Sequence, residues 1–220
     1  MQLAFSFWIV LVTSAWLSIQ GANPNESLQL YPSDSDLVAA AKQGYRIEKN
    51  LELYQFQGAI HENPNMDCRP ITQTIGVAGP LMLAAMQGRS AYLKSVPAPE
   101  RDSLLHVKGA VLLSVESYAA KKEDRAEIWL AQRMQQFHPT AEKLEAVNSV
   151  TCGGFRAGGS QHTSAAIWDV TQSYVFRFQP DAPQPDWNEV VTVFVRKSNH
   201  EEKFEINFRK VFTREATSLL

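Results

Sequence analysis

The sequence predicts an α+β fold: a mainly antiparallel sheet with helices packed on one side and a β-rich C-terminal half. Three observations support this prediction. Helix-type periodicity and capping residues dominate the first half of the 220-residue chain, strand-type alternation dominates the second half, and a glycine-rich segment, Thr151 to Ser164, lies between them. A hydrophobic content of 45% and a charged content of 20% are ordinary for a folded protein.

The net charge argues against a nucleic-acid partner. Lys and Arg number 21 against 23 Asp and Glu, which gives a formal net charge of -2. Proteins that bind nucleic acid generally carry a basic footprint that neutralises phosphates. We therefore predict no nucleic-acid partner for this chain.

The N-terminal segment is apolar and uncharged. Leu3 to Ile19 is shorter than the roughly 20 residues that span a bilayer, and the small residues Gly21 and Ala22 follow it. This pattern indicates a signal peptide over 1–22, a single domain over 23–220, a secreted or periplasmic location and no stable membrane span after signal removal. Because no Lys or Arg precedes the apolar run, an uncleaved signal anchor in the membrane is the alternative.

The chain has two cysteines, Cys68 and Cys152. An even cysteine count behind an export signal favours pairing in an oxidising compartment. We therefore predict one disulfide between them. Closing such a long loop is worth roughly 4 to 5 kcal/mol by the loop-entropy relation.

The first half of the chain predicts helices around one extended region. Capping residues and periodicity predict a helix over Asp34–Gln43, ended by a left-handed Gly44. Alternation over Tyr45–Ile60 predicts a strand or a bent pair of strands. The apolar run Ile75–Met86 predicts a buried helix, with Pro80 in its first turn.

The middle of the chain is ambiguous, because Leu104–Ala120 fits both a helix and a strand. Its β-branched and aromatic residues favour a strand over Ala110–Ala119. We expect this strand to pair with Ala126–Gln132 through the charged turn Lys121–Asp124. A short helix is predicted over Thr140–Asn148, because Thr140 is a good cap and glutamates follow it.

The second half predicts antiparallel strands. Alternating apolar and polar residues are typical of a sheet with one face buried and one face in water. A hairpin turn is expected over Lys197–Glu202, and the three prolines of Pro180–Asn188 predict a loop. The predicted strands are Ala166–Val170, Tyr174–Gln179, Val190–Arg196 and Lys203–Phe212.

The glycine-rich segment is the first candidate site. Its backbone N–H groups can form an anion-binding nest, which Arg156 or Ser160 would assist. The spacing of its glycines matches neither the phosphate-loop pattern nor the dinucleotide pattern. We interpret the segment as a turn-rich connection and predict no cofactor.

Nucleophilic and metal chemistry have weaker support. Cys152 with His162 resembles a thiol and base pair, but Cys68 offers a simpler disulfide partner. The five histidines are scattered without ligand spacing, so no metal site is predicted. No pair of carboxylates has the character of a general acid and base.

Trp187 is the strongest candidate for a ligand or partner contact. It lies beside the proline-rich loop, where an exposed ring would anchor a protein or a sugar. Trp129 and Trp168 are interpreted as core residues. The sequence favours a non-enzymatic binding or interaction module for a protein or a small-molecule or sugar ligand. The alternative is a hydrolase-like enzyme whose site is assembled from distant residues.

Overall fold

The computed structural model describes residues 30–47, 51–57, 72–119, 125–152, 165–197 and 200–220. These ranges form an α+β fold with two antiparallel sheets, as predicted. The helices are α1 (Asp34–Arg46), α2 (Pro80–Leu93), α3 (Arg101–Leu104) and α4 (Phe208–Leu219), with a 3-10 turn at Leu105–Val107. No helix in this described part is long and apolar enough to cross a bilayer.

The strands divide into two sheets. One sheet has five strands in the order β1-β2-β3-β7-β6, and the other has four strands in the order β5-β4-β8-β9. All neighbouring strands are antiparallel. The strands are β1 (Tyr54–Gln57), β2 (Thr72–Ala78), β3 (Ala110–Ala119), β4 (Glu127–Gln132), β5 (Gln135–Phe137), β6 (Ala141–Cys152), β7 (Ala165–Arg177), β8 (Val190–Lys197) and β9 (His200–Asn207).

The two sheets pack face to face over the main hydrophobic core. Alternate residues of the central strands point into it, including Val111, Leu113 and Val115 of β3 and Val191, Val193 and Val195 of β8. Two side chains of β7 also form hydrogen bonds across the core with the backbone of Ala126, the residue before β4. The Tyr174 hydroxyl donates to the Ala126 carbonyl, and Gln172 Oε1 accepts from the Ala126 N–H at 2.9 Å.

A second hydrophobic core lies between the helices and the outer face of the five-stranded sheet, where α1 and α2 cover Ala78 and Leu112. The two helices approach closely through small residues. A Cβ atom added to Gly44 would lie 2.0 Å from the Ala85 carbonyl oxygen, and one added to Gly88 would lie 1.9 Å from that of Ala41. The prediction that Gly44 ends the first helix is wrong, because α1 continues to Arg46 and Gly44 lies inside it.

The helix predicted over Ile75–Met86 is wrong in its first part. Residues up to Ala78 belong to β2, which pairs with both β1 and β3, and α2 begins at Pro80 as predicted. The strand predicted over Tyr45–Ile60 is confirmed at β1, but its first two residues, Tyr45 and Arg46, belong to α1. The apolar run Ile75–Met86 therefore contains the end of β2 and the start of α2. Both elements are buried, so hydrophobicity alone does not distinguish a strand from a helix here.

The strand predicted at Ala110–Ala119 is confirmed as β3, but its pairing is wrong. Strand β3 pairs with β2 and β7, and Ala126–Gln132 contributes β4 to the other sheet, where it pairs with β5 and β8. Two strands that are neighbours in sequence therefore face each other across the core.

The helix predicted over Thr140–Asn148 is wrong, because this stretch is part of β6. Its Glu, Lys, Leu and Ala residues favour a helix locally, but pairing with β7 along its length determines the structure. The strands predicted at Ala166–Val170 and Tyr174–Gln179 are one continuous strand, β7, which ends at Arg177.

The C-terminal predictions are confirmed up to Asn207. The Pro180–Asn188 loop and β8 lie where expected, and β8 and β9 extend into the predicted turn, since Lys197 pairs with His200. The strand predicted over Lys203–Phe212 continues as α4 instead. The Asn207 side chain caps this helix by accepting from the Lys210 N–H at 3.3 Å.

Candidate ligand groove

The outer face of the five-stranded sheet is open beyond the helices. Residues of β2, β3 and β7 that alternate with the core positions face outward here, and they are small or polar: Thr74, Gly76, Ser114, Glu116 and Thr171. Together they form the floor of a hollow of about 610 Å³. We call this hollow the sheet groove.

The walls of the sheet groove come from two separate parts of the chain. One part is Leu51, Glu52 and Leu53, which lead into β1, and the other is Arg214 of α4, which lies near Tyr54 of β1. Gly76 permits the close approach of the first wall, because a Cβ atom there would lie 2.9 Å from the Leu53 side chain. A residue with a side chain at this position would push against the wall.

The polar groups of the sheet groove are of three kinds. Glu52 is an exposed carboxylate and Glu116 a half-buried one. The Thr74 hydroxyl donates to Glu116 Oε2 at 3.0 Å. The Arg214 guanidinium lies 5.3 Å from the Tyr54 ring centroid. The groove therefore offers acidic acceptors, hydroxyl groups and one cationic donor to a ligand.

An apolar hollow of about 330 Å³ adjoins the sheet groove and shares Leu51, Glu52 and Arg214 with it. Its remaining lining is mostly hydrophobic and comes from the residue after α1 and from β1, α2 and α4. These residues are Ile47, Tyr54, Met82, Val211, Glu215, Ser218 and Leu219. A ligand that fills both hollows would need a polar part and an apolar part.

Glu215 is a buried acid beside the apolar hollow. It is 4% exposed, and its carboxylate accepts the Gly79 N–H at 2.6 Å and the Met82 N–H at 3.4 Å. Burial raises the pKa of Glu215 to about 7, although both hydrogen bonds favour the ionised form. These N–H groups belong to the unsatisfied donors at the start of α2, so Glu215 ties α4 to α2.

A serine and a lysine meet inside the sandwich. Lys197 Nζ donates to Ser117 Oγ and to the Tyr118 carbonyl, the latter at 3.0 Å. Serine beside lysine is a combination that supports nucleophilic catalysis when a substrate can reach it. Ser117 is 0% exposed, so its hydroxyl is closed to a substrate and the pair has a structural role.

Asp169 lies near this pair on β7. Burial and the neighbouring Glu116 raise the pKa of Asp169, and Lys197 acts in the opposite direction. Its Oδ1 atom is buried without a hydrogen-bond partner.

Trp187 lies in an aromatic cluster. Its ring is half-buried, with centroid distances of 5.0 Å to Phe178, 5.1 Å to Phe208 and 6.0 Å to Phe212. The indole N–H donates to Gln184 Oε1 at 3.2 Å. These contacts explain the position of the ring by packing, and its role as a partner contact stays a prediction.

The other predicted site residues are not described in structural terms. Cys68, Arg156, Ser160 and His162 lie outside the described residues, and only the backbone of Cys152 is described, at the end of β6. The disulfide and the anion nest stay predictions. Among the described residues, no cluster of three potential metal ligands of the His, Cys, Asp or Glu type is found.

Sequence reasoning missed the sheet groove and Glu215. The groove residues are ordinary in type, and only the order of the strands brings Thr74, Ser114 and Thr171 together. Glu215 follows a stretch that alternation assigns to a strand. Nothing in the local sequence indicates its contact with Gly79.

Comparison with protein-family models, with curated proteins and with solved structures finds no match to this chain. Any function must therefore be argued from the geometry of the chain itself.

Proposed function

We propose that the protein is a non-enzymatic binding module that holds a small, hydroxyl-rich ligand with an amino group, such as an amino sugar, in the sheet groove. The observation that carries this proposal is the polar hollow itself, which has a volume of about 610 Å³ and a floor formed by three neighbouring strands. Small-molecule sites commonly have volumes of about 300 to 1,000 Å³.

The side chains of the groove suit this class of ligand. A carboxylate accepts hydrogen bonds from neighbouring hydroxyl groups and binds an ammonium group more strongly still, so Glu52 and Glu116 favour a cationic sugar. Arg214 would donate to ring or hydroxyl oxygens. The floor residues Ser114 and Thr171 are short enough to leave room for a ring.

Calorimetric titration of the full chain with three probes tests the proposal. A glucosamine trisaccharide carries hydroxyl and ammonium groups, cellotriose carries hydroxyl groups alone, and spermidine carries ammonium groups alone. We expect the glucosamine trisaccharide to bind most tightly. Failure of all three probes to bind would contradict the proposal, and cleavage of a trisaccharide would favour the hydrolase-like alternative.

A pair of matched variants locates the binding site. Ser114→Phe fills the floor of the sheet groove, and Thr192→Phe adds the same bulk to the outer face of the four-stranded sheet. We expect the first variant to abolish binding and the second to leave it unchanged. Equal binding by both variants would place the ligand elsewhere.

We also propose that the protein acts outside the cytoplasm and carries the Cys68–Cys152 disulfide. The apolar N-terminal segment and the even cysteine count support this proposal. N-terminal sequencing of protein recovered from its native compartment should begin near residue 23, whereas an intact Met1 would favour the signal anchor. Two free thiols on alkylation without reduction would contradict the disulfide.

A further inference from the structure

Strand β6 is a long edge strand with an exposed surface. It forms one edge of the five-stranded sheet and pairs with β7 from Ala141 to Cys152. Side chains on both of its faces are exposed from Ala141 to Ala146. An edge strand of this length presents backbone N–H and C=O groups that another strand can bind.

The other edge strands are shorter or better protected. β1 has four residues and β5 has three. β9 has eight residues, and four of them are charged side chains that oppose pairing with another strand: Glu201, Glu202, Lys203 and Glu205. In β6, three of the twelve residues are charged, Glu142, Lys143 and Glu145, and the last two have opposite signs on either side of Leu144. Among the described residues, β6 is therefore the longest edge strand, and it carries a smaller share of charges than β9.

We propose that two copies of this chain associate through β6, which pairs with its counterpart in antiparallel fashion and joins the two five-stranded sheets. Closed pairs of identical chains form most often about a twofold axis, which requires a self-complementary surface. The charges at the start of β6 define such a surface. An axis at Leu144 places Lys143 opposite Glu145 of the second copy, twice.

The local geometry supports this register. Lys143 Nζ lies 2.9 Å from Glu145 Oε2 in the same chain, and both side chains are exposed. Across the axis each lysine would also meet the glutamate of the other copy, so the four charges alternate in sign. The pairing of β6 with β7 shifts register between Leu144 and Ala146, so each copy has a bulge at the axis, which confines the pairing to a few residues on either side.

Leu144, the residue at the axis, also favours association because it exposes apolar surface. Leu144 is one of the exposed large hydrophobic residues of the described chain, at 37%. Pairing places it against Leu144 of the second copy and removes apolar surface from water. The contact is smaller than a standard interface of about 1,600 Å², so we expect reversible association in the micromolar range.

Sedimentation equilibrium of the full chain over the micromolar range tests the proposal. We expect a reversible monomer–dimer equilibrium that Lys143→Glu weakens about tenfold, because the two attractive pairs become repulsive. The double variant with Lys143→Glu and Glu145→Lys restores the alternation and should recover the dimer. Lys203→Glu on the β9 edge is the matched control and should have no effect.

Three results would overturn the proposal. One is a monomer at all concentrations in the wild type. Another is a dimer that is indifferent to Lys143→Glu or that the charge-swapped double variant fails to recover. The third is a dimer that Lys203→Glu weakens, which would place the contact at β9. The substituted side chains are exposed, so circular dichroism should show an unchanged fold in each variant.

Discussion

The two sheets of the sandwich present opposite kinds of outer face. On the four-stranded sheet, Trp129 stacks on Phe194 with ring centroids 5.0 Å apart and planes 7° from parallel. Arg196 lies 4.7 Å over the Trp129 ring, and Lys203 lies 5.0 Å over Phe194. On the five-stranded sheet, small residues such as Gly76 leave the sheet groove open.

The difference lies in how the two outer faces are covered. Both inner faces are aliphatic and fill the same core. On the outer face of the four-stranded sheet, cations cover the aromatic rings, and Trp129 is only 5% exposed. That arrangement removes apolar surface from water. On the five-stranded sheet, the sheet groove stays open because its floor residues are small or polar.

Trp129→Ala should therefore have the largest effect on stability. It deletes a buried ring and the contacts of that ring with Phe194 and Arg196. We therefore expect a loss of about 4 kcal/mol in the free energy of unfolding, measured by urea denaturation. Trp129→Phe keeps a ring over Phe194 and serves as the control, with a smaller loss. A loss below about 1 kcal/mol for Trp129→Ala would mean that the covered face is not a source of stability.

Gly88→Ala tests the helical layer that covers the rest of the outer face of the five-stranded sheet. In an ordinary helix this change stabilises by about 1 kcal/mol, because alanine is the better helix former. Here the new Cβ atom would lie 1.9 Å from the Ala41 carbonyl oxygen, so we expect a loss of about 3 kcal/mol. Ser90→Ala in the same helix is the control. Thermal melting of both variants checks the prediction, and a stabilised Gly88→Ala would contradict the close packing.

Glu215→Gln tests the bond between α4 and α2 through its pH dependence. The folded state holds a proton on Glu215 between about pH 4.5 and 7, where the unfolded state has released it. Stability from this group is therefore greatest below this range and declines as the pH rises through 7. Urea denaturation of the wild type should show a decline of roughly 2 to 3 kcal/mol between pH 5 and 8.

The variant and its control isolate this contribution. Glu215→Gln has no proton to release and should lose this decline, so the two stability curves should differ in slope. Glu205→Gln removes an exposed carboxylate of β9 and should keep the slope of the wild type. The same slope in Glu215→Gln and the wild type would assign the pH dependence to other groups.

Strands with alternating inward-facing residues can be predicted from the sequence, because alternation is a local property. Val191, Val193 and Val195 alternate with residues on the other face, and β8 lies where that pattern predicts. The sequence of β6 predicts a helix instead, because the helix propensity of its residues is local and the pairing with β7 that makes it a strand is not. The partners of β3 are likewise strands that are distant in the sequence, so a local pattern does not predict them.

The candidate site depends entirely on such distant contacts. Gly79 and Glu215 are separated by 136 positions in the sequence, and neither is unusual among its neighbours. The floor of the sheet groove joins residues from three strands that are adjacent only in the sheet. The sequence lacks any motif for these contacts, because their chemistry arises from position and not from residue type.

The smallest effect on stability is expected for Ser114→Ala, and the same substitution at Ser117 serves as its comparison. Ser114 and Ser117 lie on the same strand and face opposite sides, the groove and the core. Ser117→Ala removes an acceptor of the buried Lys197 ammonium group and should cost about 2 kcal/mol. Ser114→Ala should change stability by less than about 0.5 kcal/mol, measured by urea denaturation, while it weakens binding of the glucosamine trisaccharide. Similar losses of stability for the two serines would mean that the floor of the groove is as structural as the core.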